Sequence, residues 1–259
     1  MLIRAMSIAV LASFTSSALA QTFFGPTPYL CASDSPWNTA APGFTLETFE
    51  DGALVAGVTT NATVINPSGI TDSVDCDSGP IDGSGTSGRT AFTLSGGIGV
   101  TFTFSPPFPQ RVGLVWTDGN DTIRFEAFSP DGTRLGERFG DHDNTSYGGQ
   151  TDEDRFYGVE FAGGIQRVRM WQTGGGAGAG IEVDHLQFGP IAPGCDSIDF
   201  NNNTVFPEDQ DVIDFFTVLA GGPCSAGNTC SDIDFNNNAV FPEDQDIIDF
   251  FNVLAGAEC

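Results

Sequence analysis

The chain has 259 residues, and its nine basic residues, all Arg, face 34 Asp and Glu for a formal charge of −25. That sign repels phosphate, so it excludes a general nucleic-acid binder and argues against an anionic membrane surface as partner. Cations, calcium above all, and neutral polysaccharide fit it better. Hydrophobic residues make up 40% with 23 Phe, enough for a core, while 33 Gly and 15 Pro favour turns and short strands over long helices.

In chain order, Met1-Leu2-Ile3-Arg4, an apolar stretch from Ala5 to Phe14 and the exit Ala18-Leu19-Ala20 predict a secretory signal peptide over residues 1–20. No other run approaches spanning length, so the expectation is a secreted chain without membrane insertion, extracellular or at the cell surface. Six cysteines, an even number, suit an oxidising compartment. Four of them frame a C-terminal repeat, which leaves Cys31 and Cys76 as the natural pair of the first domain.

An N-terminal segment, 21–41, precedes a β domain predicted over 42–190. Strands are read at 44–50, 99–104, 111–116, 122–128, 156–161, 166–171 and 181–188, separated by Gly, Pro, Asn and Asp clusters. Alternation such as Val100, Phe102, Phe104 gives one inward face per strand, so the predicted fold is mainly β: an antiparallel β-sandwich, jelly-roll-like. Ser129-Pro130-Asp131-Gly132 is a hairpin turn, and 141–154 a polar loop. Trp116, Trp171 and Tyr157 read as core, His142 as a solvated loop residue and His185 as a strand residue. No nucleophile elbow, zinc-protease or phosphate-loop pattern occurs, so no catalytic residues are assigned and no enzyme activity is expected.

After a linker at 191–194, residues 195–224 and 230–259 align without gaps at 23 of 30 positions, a period of 35 residues. Each copy opens on oxygen-bearing side chains at alternate positions, in Asp199-Phe200-Asn201-Asn202-Asn203 and Asp234-Phe235-Asn236-Asn237-Asn238, as a loop around a hard cation requires. Pro207 and Pro242 are read as first helical residues. Glu208, Asp209 and Asp211, with Glu243, Asp244 and Asp246, then complement the helix dipole and face back toward the loop. Val212, Phe215, Phe216 and Leu219 share a helix face, as do Ile247, Phe250, Phe251 and Leu254, before Gly221-Gly222 and Gly256 end the helices.

This loop-then-helix unit, used twice over 195–259, resembles the type I dockerin module, a tandem of EF-hand-like loops, in the Cys-framed form found at the ends of exported planctomycete-type proteins. The resemblance implies two calcium sites. The first would use Asp199, Asn201, Asn203, the Val205 carbonyl and Asp211; the second, Asp234, Asn236, Asn238, the Val240 carbonyl and Asp246. The sixth loop position, normally Gly, is Thr204 or Ala239, so the left-handed backbone is expected at Asn202, Asn203, Asn237 or Asn238 instead. The closing carboxylate falls at position 13 rather than 12, and Asn lowers the ligand charge, so affinity is expected on the order of 10⁻⁵ to 10⁻³ M. Two symmetric disulfide patterns are open. Cys195–Cys224 with Cys230–Cys259 would keep each copy a complete unit, the favoured expectation; Cys195–Cys259 with Cys224–Cys230 would clasp the ends of the module.

A weaker resemblance links Glu47–Gly52 and Ile181–His185 to the first and last strands of extracellular jelly-roll carbohydrate-binding modules. Those modules often hold a structural calcium between these strands, which would fall to Glu50 and Asp184. Together these readings predict an exported, non-catalytic sandwich carrying a calcium-binding module for attachment to a cohesin-like or cell-surface protein, with a polysaccharide-binding or -degrading role as the alternative.

Overall fold

The computed structural model describes residues 20–67, 69–143, 148–174, 179–191, 194–237 and 240–256, so the expected signal peptide lies outside the described residues. The chain divides into two units, 1–191 and 192–259.

The first unit is an antiparallel β-sandwich. One sheet runs β1 (Gln21–Pro28), β10 (Arg155–Phe161), β7 (Arg111–Asp118), β12 (Ile181–Gly189), β5 (Thr90–Thr93) and β4 (Thr63–Ile65), with β2 (Thr45–Glu47) also paired to β12. The other runs β3 (Val58–Thr60), β6 (Val100–Phe104), β11 (Arg167–Gln172), β8 (Ile123–Phe128) and β9 (Arg134–Gly140). Period-two alternation explains the core directly. Phe102 and Phe104 from β6, Leu114 and Trp116 from β7, Phe125 from β8, Met170 from β11 and Val183 from β12 all bury between the sheets.

All seven predicted strands form, and Ser129 to Gly132 turns β8 into β9 with Gly132 at φ 83°. The segment 21–41, expected ahead of the β domain, contributes the sandwich's first strand. β1 pairs with β10 from Gln21 opposite Phe161, and its register shifts between Phe24 and Thr27. Gly25 sits in that shift at φ 77°, where a Cβ would stand 2.0 Å from the Phe156 carbonyl oxygen. Tyr29 and Trp37 then cross the outer face of the β1–β10–β7–β12 sheet and pack with Val74, Val115 and Phe156 in a second core. That sheet is therefore buried on both faces. The Cys31–Cys76 disulfide, as expected, ties the crossing segment down.

Two other expectations are corrected. Trp171 lies on the outer face of its sheet, half-buried, with the guanidiniums of Arg169 and Arg124 at 4.8 and 5.5 Å from the ring. It falls out of phase with Val168 and Met170, which take the inward positions of β11. His142 is not solvated: it packs edge-on against Trp116 and bonds the Tyr157 hydroxyl at 2.6 Å. Its removal from water drives its pKa down to about 4.

The second unit holds two eleven-residue helices, α1 (Asp209–Leu219) and α2 (Asp244–Leu254), each following its loop. Both begin two residues later than the prolines predicted: Glu208 and Glu243 are the N-caps, so Pro207 and Pro242 precede the helices. Phe200, Phe215, Phe235 and Phe250 form the core, whereas Phe216 and Phe251, expected beside them, are 41% and 43% exposed. Only a narrow stripe of each helix meets its counterpart.

The two copies grip each other crosswise. Asp196 N–H donates to the Phe235 carbonyl at 2.7 Å, and Ser231 N–H, one period later, donates to Phe200 at 2.9 Å. Asn202 and Asn237 repeat the exchange with the carbonyls of Thr229 and Gly194. The pattern is a pseudo-two-fold. It also settles one disulfide against the favoured expectation: Cys224 bonds Cys230, with Cα atoms 5.7 Å apart. Ser225 explains the closeness, since its N–H and hydroxyl both donate to Asp214 and draw the connector onto α1. Cys195 is also disulfide-bonded, and the pairing of Cys259 lies outside the described residues.

Candidate metal centre

The first loop gathers its predicted residues. Asp199, Asn201 and Asp211 are all buried, at 8%, 0% and 0% exposure. The Asp199 carboxylate accepts the N–H groups of Asn203 and Thr204, both at 2.9 Å, which curls the backbone around it. The Val205 N–H donates to Asn203 Oδ1 at 2.7 Å, and the Asn203 amide donates to Glu208. Such internal bonds hold a loop in a shape that points oxygens at a common centre.

Asp211 divides its carboxylate between two tasks. Oδ2 accepts the Glu208 N–H at 3.2 Å and so closes the first turn of α1. Oδ1 is buried and, among the described residues, makes no hydrogen bond of ordinary geometry, although the Asn201 N–H lies near enough to the carboxylate to lower its pKa. Burial raises the Asp211 pKa, the N–H groups of Glu208 and Asn201 oppose the rise, and the charges of Asp199 and Glu208 add to it. A buried carboxylate oxygen without a firm partner, beside other carboxylates, is what a hard cation would satisfy.

The second loop repeats the arrangement. Asp246 is fully buried, its Oδ2 accepts Glu243 N–H at 3.0 Å, and among the described residues its Oδ1 makes no hydrogen bond of ordinary geometry, with the Asn236 N–H close enough to lower the pKa. Burial, with Asp234 and Glu243 nearby, raises its pKa too. Asp234 and Asn236 are buried as well. Val205 and Val240 keep their side chains exposed, as residues contributing only a carbonyl can. The predicted ligand Asn238 lies outside the described residues.

Sequence reasoning missed Asp214 and Asp249. Asp214 Oδ2 accepts the Asn201 side-chain amide at 3.0 Å, and Asp249 does the same for Asn236 at 3.0 Å. Holding the amide nitrogen fixes which way the Asn faces and leaves Oδ1 toward the loop. The available signal was an Asp three residues beyond each predicted ligand Asp in both copies.

Thr204 departs from expectation in the opposite sense. Asn202 and Asn237 take φ 54°, as anticipated, but Thr204 is itself left-handed at φ 70°. A β-branched residue pays roughly 1–2 kcal/mol there. Thr204→Gly is therefore expected to stabilise the module by about 1 kcal/mol, less what the freer unfolded chain takes back. Urea unfolding followed by helical circular dichroism reads this, and a lowered midpoint would refute it.

In the sandwich, Glu50 and Asp184 take separate roles. Glu50 is exposed and accepts Arg89 N–H, while Asp184 is fully buried with its oxygens accepting the N–H groups of Val74 and His185. Each Asp184 oxygen thus holds one backbone N–H, as each Asp199 oxygen does. Two further groupings of ligand-type side chains, Cys76–Asp77–His185 and Asp214–Cys224–Cys230, contain disulfide sulfurs rather than the thiolates a metal would need.

No family model matches the chain, and no curated protein sequence does. Among solved structures, the catalytic domain of GH87 alpha-1,3-glucanase in complex with nigerose is 16% identical, covering 64% of this chain and 32% of that one, with a TM-score of 0.35. The K1 cleaved adhesin domain of Lys-gingipain from Porphyromonas gingivalis W83 is 14% identical, covering 57% of this chain and 98% of that one, with a TM-score of 0.36. The chain thus spans about a third of the glucanase domain.

Proposed function

We propose that residues 195–259 are a dockerin-like calcium-binding module that attaches an exported, non-catalytic β-sandwich to a protein partner at or outside the cell surface. The supporting observation is the matched pair of buried oxygens without a firm partner among the described residues, Asp211 Oδ1 and Asp246 Oδ1, the first closing a loop whose Asp199 and Asn203 oxygens are already fixed. Calcium bound there would be held by Asp199, Asn201, Asn203, the Val205 carbonyl and Asp211, or their counterparts one period on, and would neutralise the clustered carboxylates. The same repeat leaves Val205, Phe206 and Ile213, and again Val240, Phe241 and Ile248, exposed at 49–59%. Apolar side chains shown to water twice over on one small module suit an interaction surface.

The test is a calcium titration of the mature chain by calorimetry, with helical circular dichroism and chelator reversal. The Asp211→Asn, Asp246→Asn double variant keeps the shape of both carboxylates but removes their charge. It is expected to bind two fewer ions than the parent and to lose the calcium-dependent rise in helicity. Equal stoichiometry in the two proteins would reject the assignment.

A further inference from the structure

We propose that Asp72 and Asp154 bind a hard divalent cation inside the sandwich, at a site distinct from both loops of the C-terminal module. The argument starts from how segment 72–75 lies on β12. Alternate β12 side chains serve as acceptors for its backbone: Asp72 N–H donates to Glu182 Oε2 at 2.7 Å, and Val74 N–H donates to Asp184 Oδ2 at 2.9 Å. The Asp72 carbonyl accepts the Thr117 hydroxyl at 3.3 Å. On the adjoining side, Asp154 is held by Tyr29 N–H on its carbonyl at 3.2 Å and by its own N–H on Thr151 at 3.3 Å. Both backbones are fixed.

Both side chains lack firm partners. Asp72 and Asp154 are fully buried, and among the described residues none of their four carboxylate oxygens makes a hydrogen bond of ordinary geometry, although the Thr117 side chain lies close enough to Asp72 to lower its pKa. Their neighbour Asp75, equally buried, shows what a satisfied carboxylate looks like here: it accepts from Asp82 N–H, Gly83 N–H and the Thr151 hydroxyl. None of the ion pairs among the described residues includes Asp72 or Asp154. The nearby guanidinium of Arg155 donates to the backbone carbonyls of Asp152 and Asp154 instead.

The surroundings add negative charge. Burial, with the charges of Glu182, Asp118 and Glu153 and against the Thr117 side chain, raises the pKa of Asp72 to about 10. Asp154 is raised by burial and then by Asp72, and the Thr151 hydroxyl, bonded to Asp75 at 2.6 Å, joins the two segments that carry them. A buried carboxylate must be paired, metal-bound or protonated. Oxygen-only donors, immobilised backbones and excess negative charge select a hard cation of the calcium or magnesium class.

The experiment counts bound metal by equilibrium dialysis at about 10 mM calcium, above the affinity range expected of the loops, on three forms of the mature chain. The parent is expected to retain three ions, Asp211→Asn/Asp246→Asn one, and Asp72→Asn/Asp154→Asn two. Chelating the single ion of Asp211→Asn/Asp246→Asn is expected to lower sandwich unfolding by roughly 5–10 °C. An Asp211→Asn/Asp246→Asn protein that holds no ion and is indifferent to chelator overturns the proposal, leaving protons as the neutralising species; this decides the matter even where Asp72→Asn/Asp154→Asn fails to fold. If the parent and Asp211→Asn/Asp246→Asn retain the same single ion, the module's calcium sites are rejected and the sandwich site stands.

Discussion

Replacing Phe250 with Ala is expected to unfold the C-terminal module. Its core is four rings, each fully buried, and Phe250 touches the other three. It stacks on Phe215 with centroids 4.2 Å apart and meets Phe235 edge-on at 5.2 Å. Deleting such a ring costs about 3–5 kcal/mol. A unit this small holds about that much in total from its core, so one truncation consumes it. The helical signal at zero denaturant should collapse in Phe250→Ala and in its symmetry mate Phe215→Ala. Phe251→Ala, at a 43% exposed position, should cost less than about 1 kcal/mol. Equal losses at Phe250 and Phe251 would mean that the narrow buried stripe is misplaced.

The Cys31→Ser, Cys76→Ser variant is expected to lose about 4 kcal/mol, because the bond closes a loop with a sequence separation of 45. Removing Cys224–Cys230, with a separation of only 6, should cost about 2 kcal/mol on the same reasoning. The larger loss has a second origin. The first bond anchors the segment bearing Tyr29 and Trp37, and Cys76 adjoins Asp77, which bonds His185 at 2.9 Å. His185 in turn bonds the Tyr29 hydroxyl at 2.8 Å, so loosening the segment strands buried polar groups. Thermal unfolding read by tryptophan fluorescence reports on Trp37 directly. A midpoint unchanged by the double serine variant would show that packing alone retains the segment.

The sandwich was legible where strands are long and alternate. Strands of three or four residues, β3, β4 and β5, carry too few positions to show a period. β1 was hidden because Gly25-Pro26 reads as a turn, whereas Gly25 is there to let the strand pass close to Phe156. In the module, the repeat was unmistakable but its symmetry misled. Self-contained copies suggested self-contained disulfides, and the copies instead exchange backbone bonds, which brings Cys224 to Cys230. Each loop's expected ligand set rested on the resemblance to dockerin repeats, which the alternation of oxygen-bearing residues supports. The carboxylates Asp72 and Asp154 were not legible, because they are 82 positions apart in the sequence and only the fold joins their segments, through the Thr151 hydroxyl on Asp75.

The crosswise pairing of the two repeats has a consequence for assembly. A pseudo-two-fold contact is self-complementary, so a repeat from one molecule offers another molecule's repeat the same hydrogen bonds it offers its own. What favours the internal partner is proximity. A tether as short as the one between the copies, cinched by Cys224–Cys230, sets an effective concentration in roughly the millimolar range, well above that of a second molecule in dilute solution. The disulfide at the connector therefore acts less on the shape of either copy than on which copy each one meets.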